Sequence, residues 1–251
     1  MDLGLHDRTV IVTGASGGIG RHLARVFAAE GAHVVLTYHS SPGAAEIAAK
    51  EIGDRARLVR FDLGDPDSAR ALVDAALGWT GRIDVLVNNA VLWGTTSPDP
   101  GASFETVPDG AWERVLRDNI EGAVRLSRLV APEMRRRGWG RMVHISSSIA
   151  TEGLAGAEYY GAAKAALHGF SRSAAFSLGR DGDILTNVVM PGLTRTETNA
   201  HIVDDGGEQY AALAPVGRLL TAEEIAGPVV FLASAANTGI TGQVIAVNGG
   251  V

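Results

Sequence analysis

Tyr160 and Lys164 stand four residues apart in a stretch with helical periodicity, so both side chains lie on one helix face. An unperturbed phenol titrates near ~10 and is a poor proton shuttle at neutral pH. An ammonium beside it favours the phenolate and is expected to lower that value. The pair then becomes a general acid/base able to exchange a proton with a carbonyl or alcohol oxygen. The 22 basic residues include only two lysines, Lys50 and Lys164. Tyr159 is the competing tyrosine, but its partner four residues on is Ala163, which carries no chemistry. Upstream, Ser146, Ser147 and Ser148 offer three hydroxyls, and the residues alone do not choose among them.

A second constellation lies near the N-terminus. Thr13-Gly14-Ala15-Ser16-Gly17-Gly18-Ile19-Gly20 follows an apolar run and precedes a helical pattern. Glycines there allow a tight turn and close backbone approach, and a helix N-terminus offers free N–H groups and a positive dipole end. The spacing differs from the common G-x-G-x-x-G pattern, but the setting points to a dinucleotide pyrophosphate. Gly14, Ser16, Gly18, Ile19 and Gly20 are the candidate contacts. An acid about 20 residues further on would select NAD by gripping the ribose 2′-hydroxyl. No Asp or Glu occurs between Glu30 and Glu46, whereas His39, Ser40 and Ser41 can all donate to a 2′-phosphate. NADP is therefore the expected cofactor, with NAD as the alternative.

These residues need a scaffold that brings strand ends together. Apolar, β-rich runs at residues 8–13, 33–38, 56–61, 84–87, 141–145, 184–190 and 244–247 read as strands. Residues 20–30, 42–52, 66–77, 111–137, 157–178 and 222–234 read as helices. Continuous apolar strands alternating with helices imply a parallel sheet covered on both faces. The expected fold is α/β: a single doubly wound, Rossmann-type domain over residues 1–251, with a seven-stranded, mostly or wholly parallel sheet. Residues 91–110 and 191–216 read as long loops at carboxyl ends of strands, the second as a substrate lid.

Composition narrows the classes. At 46% hydrophobic the chain can bury a large core, and a net charge of -6 disfavours a nucleic-acid partner. With no cysteine there are no disulfides, thiolate nucleophiles or cysteine-bound zinc. The seven histidines lack metal-ligand spacing, and no metal is expected. Nothing resembles a signal peptide or approaches the ~18 apolar residues of a membrane span, so a cytoplasmic protein is expected.

Taken together and in order, the motifs resemble the short-chain dehydrogenase/reductase family, in its compact branch. They are TGASGGIG at 13–20, Asp62 in FDLGD, Asn88-Asn89-Ala90, Asn119, Ser147, Tyr160-x-x-x-Lys164, Pro191-Gly192 and the closing TGQVIAVNGG. The overall pattern is most similar to the β-ketoacyl-acyl-carrier-protein reductases and related ketoreductases.

The resemblance implies catalytic roles for Asn119, Ser147, Tyr160 and Lys164. Ser147, thirteen residues before Tyr160, would hold the substrate oxygen. Lys164 would also bind the nicotinamide ribose, and Asn119 would hold a water linking Lys164 to solvent. Asp62 and Leu63 would flank the adenine, with Asn88 and Ala90 along the cofactor cleft. The backbone of Pro191, Gly192 and Leu193 and the hydroxyl of Thr196 would meet the nicotinamide end. One position departs from the family pattern: Val91 follows Asn-Asn-Ala where the family has glycine.

The expected activity is NADPH-dependent reduction of a ketone or 3-oxoacyl carbonyl, with Trp93, Ile149, Leu154 and Tyr210 lining the substrate pocket. The alternatives are an NAD-dependent secondary alcohol dehydrogenase, a dinucleotide-binding sensor or scaffold without chemistry, and an interaction protein using only an oligomer surface. The substrate would be a small or carrier-bound carbonyl compound. The family implies a homotetramer or dimer, with helices 111–137 and 157–178 at one interface.

Overall fold

The computed structural model describes residues 2–40, 42–93 and 103–251, the side chain of Ile202 excepted. In chain order the elements begin with β1 (Thr9–Val12), α1 (Gly18–Ala29), β2 (His33–Tyr38), α2 (Gly43–Ile52), β3 (Ala56–Arg60), α3 (Pro66–Thr80) and β4 (Val85–Asn88). Next come α4 (Asp109–Arg137), β5 (Trp139–Ile145), α5 (Ile149–Glu152), α6 (Glu158–Leu178) and β6 (Asp183–Pro191). The chain closes with β7 (Thr194–Arg195), α7 (Ala200–Leu213), β8 (Leu220–Thr221), α8 (Ala222–Leu232) and β9 (Val244–Val247).

Seven strands pair in the order β3-β2-β1-β4-β5-β6-β9, every pair parallel. The order reverses between β1 and β4, so a crevice opens beyond their carboxyl ends. β1 and β4 are buried at every position, which is why they read as uninterrupted apolar runs. Leu23 and Phe27 of α1 pack with Ile225 and Val229 of α8 on one face of the sheet. Leu72 of α3 packs with Leu126, Val130 and Met134 of α4 on the other. Local signals set the helix ends. Asp65 caps α3 by accepting the Asp67 N–H at 2.9 Å, with Pro66 in the first turn. Thr221 and Glu224 form a capping box at α8. Gly138 closes α4 in the left-handed region.

The amino-terminal edge of the sheet is tied by charge. Asp84 is fully buried, bound by Arg8 at 3.0 Å, Arg82 at 2.6 Å and the Thr9 N–H at 2.8 Å. Arg141, also fully buried, donates to the carbonyls of Gly140, Asp183, Ser234 and Asn237 and to the Asp183 carboxylate. Arg8 and Arg141 both lie against the Trp139 ring.

Two expectations change. Residues 191–216 are not one long loop, because α7 occupies most of them. Gly206 and Gly207 have poor helix propensity, yet Gly207 sits where a Cβ would lie only 3.0 Å from Val203 and 3.1 Å from Leu219. Tertiary packing of buried Val203 overrides the poor helix propensity. Within 91–110, residues 103–107 and the start of α4 are ordered, including the short turn Phe104–Thr106. Residues 94–102 lie outside the described residues. No helix among the described residues is long and apolar enough to cross a membrane.

Candidate active site

The crevice between β1 and β4 is floored by the glycine turn and braced by side chains that sequence reasoning passed over. The Thr13 hydroxyl accepts the N–H groups of Asn89 and Ala90, each at 2.9 Å. The Asn89 amide donates to the carbonyls of Thr13 at 2.9 Å and Gly14 at 3.2 Å. The Thr37 hydroxyl accepts the Gly14 N–H at 2.9 Å. Asn89 was visible in the Asn-Asn-Ala motif; Thr13 and Thr37 needed the strand register to be seen. Gly14 has φ +66° and approaches Ala90 so closely that a Cβ would lie 2.9 Å from its Cα. A Cβ on Gly20 would lie 2.3 Å from the Gly14 oxygen. This cradle, with Ser16, Gly18 and Ile19 around the α1 N-terminus, has the chemistry to take a pyrophosphate.

Other expected cofactor residues are placed less simply. Asn88 is buried, and its amide donates toward the Ala123 carbonyl, Ser127 and the His144 Nδ1. Its side chain therefore faces α4 and β5, which leaves only its main chain for the cleft. Leu63 lies against Gly122 of α4. At the tip of β2, His39 Nε2 meets Asp62 Oδ2 at 3.1 Å, and Ser40 is exposed beside it. Burial pushes the Asp62 carboxyl up, but the Gly64 N–H and the His39 ring outweigh it and hold it below the usual value. The sheet thus brings a carboxylate to the end of β2 that inspection of residues 37–41 could not find. Ser41 lies outside the described residues.

The Pro191 carbonyl, at the end of β6, accepts the Ser148 N–H at 2.8 Å. Beyond Gly192 and Leu193, Thr196 donates through its N–H and its hydroxyl to Asn199 Oδ1, at 2.9 and 2.8 Å.

On α6, Tyr160 and Lys164 are both buried. The three serines separate cleanly. Ser146 Oγ is engaged with His168 at 2.7 Å and the Lys164 carbonyl at 3.2 Å. Ser148 borders α5. Ser147 lies close enough to the Tyr160 phenol to influence its titration, and its hydroxyl also accepts the Ile149 N–H at 3.3 Å. Lys164 Nζ donates to the Ile145 carbonyl at 2.8 Å and lies 5.8 Å from the centre of the Tyr160 ring.

Their titration differs from the expectation of a phenol lowered by its lysine. Burial pushes Tyr160 well up, with only Ser147 opposing. Burial also brings Lys164 down, to about 8. Part of the Tyr160 burial comes from Trp93, whose ring stacks on it with centroids 4.4 Å apart and planes 16° from parallel. Tyr160 is only 7% exposed, which keeps away the water a phenolate would need.

Asn119 holds the main chain of Leu92, the residue before Trp93. The Asn119 Oδ1 accepts the Leu92 N–H at 3.0 Å, and its amide donates to the carbonyls of Leu92 at 2.7 Å and Val115 at 2.8 Å. Both amide hydrogens are thereby engaged, so a water relay at this side chain has only an acceptor lone pair left. Val91 precedes this anchored segment and is half-buried.

Trp93 and Ile149 line a pocket with Val115, Gly156, Ala157, Tyr159 and Tyr160. Leu154 and Tyr210, expected there, are 37% and 41% exposed and do not line it. Leu154 sits in the connection after α5, and Tyr210 is carried by α7. Tyr159 is a wall of the pocket. Its ring stacks on Trp112, and its hydroxyl donates to the Phe104 carbonyl at 2.9 Å. His144, below the site, is fully buried between Asn88 and Thr186. Burial, then the charge of Lys164, lowers its pKa to about 4.

Comparison with known proteins gives a consistent picture. The model of the family described as enoyl-(acyl carrier protein) reductase matches residues 14–251. The L-rhamnose 1-dehydrogenase (NAD(P)(+)) of Sphingomonas sp. (strain SKA58) is 38% identical over 98% of this chain and 97% of its own length. The 3-oxoacyl-acyl-carrier-protein reductase FabG of Escherichia coli (strain K12) is 37% identical over 97% of each chain. A solved structure described as a short chain dehydrogenase/reductase family protein superposes with a TM-score of 0.86. It is 37% identical and covers 100% of this chain and 98% of its own.

Proposed function

The chain belongs to the short-chain dehydrogenase/reductase family and is an oxidoreductase, and on that premise we propose that it reduces an apolar ketone or 3-oxoacyl carbonyl to the secondary alcohol. The observation that carries this reading is the buried Tyr160 beside Ser147, with Lys164 buried one turn further along α6.

A bound reduced nicotinamide dinucleotide would supply a hydride to the carbonyl carbon. The glycine turn, Ala90 and the Pro191–Thr196 segment would hold it. Tyr160 is protonated at neutral pH, as an ordinary phenol titrating near ~10 already is, so it carries the proton to be donated; burial, which raises it further, makes it a weaker acid until charge develops beside it. As negative charge grows on the substrate oxygen, the Tyr160 O–H bond breaks and its proton passes to that oxygen. Ser147 donates to the same oxygen and stabilises the charge. Lys164, near 8, stands ready to return a proton toward the phenolate left behind. Trp93, Val115, Ile149 and Ala157 present no charge to the substrate, which favours apolar or aromatic ketones.

NADPH is the proposed reductant, supported by His39 and Ser40 as donors at the tip of β2. A second reading, an NAD-linked alcohol dehydrogenase, is favoured by the Asp62 carboxylate beside His39. We propose a homotetramer built on α4 and α6, supported by exposed Phe176 on α6.

The test follows nicotinamide absorbance with NADPH and NADH against cyclic ketones, aryl ketones and 3-oxoacyl thioesters. Turnover of ketones with Tyr160→Phe reduced about 10²–10⁴-fold in kcat supports the mechanism. Full turnover by a folded Tyr160→Phe protein refutes it, and clear NADH preference selects the second reading.

A further inference from the structure

Gly17, Arg21 and Glu197 have no part in the chemistry above, yet they meet at one place. Gly17 is extended (φ -172°), a conformation open to any residue, so its missing side chain needs another cause. A Cβ there would lie 2.7 Å from the Thr198 Cγ2. A Cβ on Gly18 would be 3.4 Å from the Thr198 hydroxyl and 3.8 Å from the Thr196 methyl. The segment from Thr194 to Asn199 is thus seated on the glycine turn.

That segment is stiff. Asn199 accepts from Thr196 and donates to the Thr194 carbonyl at 2.7 Å, while the Thr196 and Thr198 hydroxyls lie 3.0 Å apart. It is joined to α1 by an ion pair between Arg21 and Glu197. Arg21 Nε is buried without a partner, so the guanidinium is held to the segment through its Nη2.

We infer that Arg21 and Glu197 are positioning residues: they clasp the segment 194–199 onto the phosphate-binding turn and so set the rate of dinucleotide exchange. The inference rests on the dinucleotide reading above. A pyrophosphate at the α1 N-terminus has to pass Thr196 and Thr198 to arrive and again to leave. The clasp must open for both events. Loosening it accelerates both, and the affinity, their ratio, changes less than either rate. Glu197 is partly exposed, so salt should weaken the clasp.

Stopped-flow energy transfer from tryptophan to NADPH, and separately to NADH, tests this in the full-length protein. Glu197→Ala and Arg21→Gln should each raise the association and dissociation rates about two- to fivefold, the range for a partly exposed pair. The double variant should match the single ones, because the two residues act as one unit. Added salt should speed exchange in the wild type more than in either variant. Unchanged rates in both single variants, or additive effects in the double, overturn the clasp. If neither nucleotide binds the wild type, the dinucleotide reading falls and the clasp falls with it.

Discussion

Replacing Lys164 by methionine should make the protein inactive and, near neutral pH, no less stable. Lys164 is buried, and its pKa falls from 10.5 to about 8. The folded value is depressed, so the unfolded chain binds the proton more tightly between the two values. Stability therefore rises as pH climbs through that window and is lost as pH falls through the folded value. At pH 7 the buried ammonium costs about 3 kcal/mol relative to an uncharged side chain, and near pH 9.5 about half as much.

Methionine carries no charge but leaves the Ile145 carbonyl unpaired, at about 1–3 kcal/mol. At pH 7 the variant is then expected to lie about 0–2 kcal/mol above the wild type. The pH dependence is free of that offset: the gap should move by about 2 kcal/mol in favour of the wild type between pH 7 and 9.5. The folded pKa of Tyr160 is raised, so its stabilisation is complete below ~10 and its loss falls outside this window. Urea unfolding of both proteins, followed by circular dichroism across that range, reads the gap directly. A gap constant to within about 0.5 kcal/mol would falsify the claim that burial perturbs Lys164.

Other outcomes follow from the same structure. His144, held down to about 4, contributes stability that is complete above 6.5 and lost as pH falls through the folded value. Its ring resonances in an NMR titration should stay flat to about pH 5, and a midpoint near 6.5 contradicts the burial argument. Half-exposed Asp183 can turn to water, but Arg141→Met leaves four carbonyls without their buried donor. It should lower stability by about 3–5 kcal/mol in calorimetry while leaving dinucleotide affinity unchanged. Gly20→Ala forces a methyl onto the Gly14 oxygen; dinucleotide affinity should fall at least about tenfold by fluorescence titration, at a stability cost of about 1–3 kcal/mol.

The fold was legible because its strands are continuous apolar runs between helical patterns. β2 and β9 fall at the expected residues, 33–38 and 244–247. α7 was hidden because Asp204, Asp205, Gly206 and Gly207 signal a turn locally, while Val203 packing decides the outcome. At the site, the spacing of Tyr160 and Lys164 carries over directly into one face of α6. What spacing could not supply is solvation. The phenol is raised by burial to which a tryptophan 67 positions earlier in the chain contributes, and nothing local to α6 announces it. The same holds for Asp62, which reaches His39 only because β3 lies beside β2. Ser147 separates from its neighbours because Ser146 is already bound to His168, a partner visible only in three dimensions.

The two ends of the sheet obey different rules. Arg8, Asp84 and Arg141 lock the starts of the central strands into a web of charges that few substitutions would satisfy. The opposite ends carry glycines, short turns and side chains resting on one another. An ancestor with this web could have exchanged Trp93, the β2 tip or the residues around α7 without loosening its frame. Change in substrate or cofactor is then cheap at one end of each strand and forbidden at the other, which makes the web a precondition for diversification as much as a source of stability.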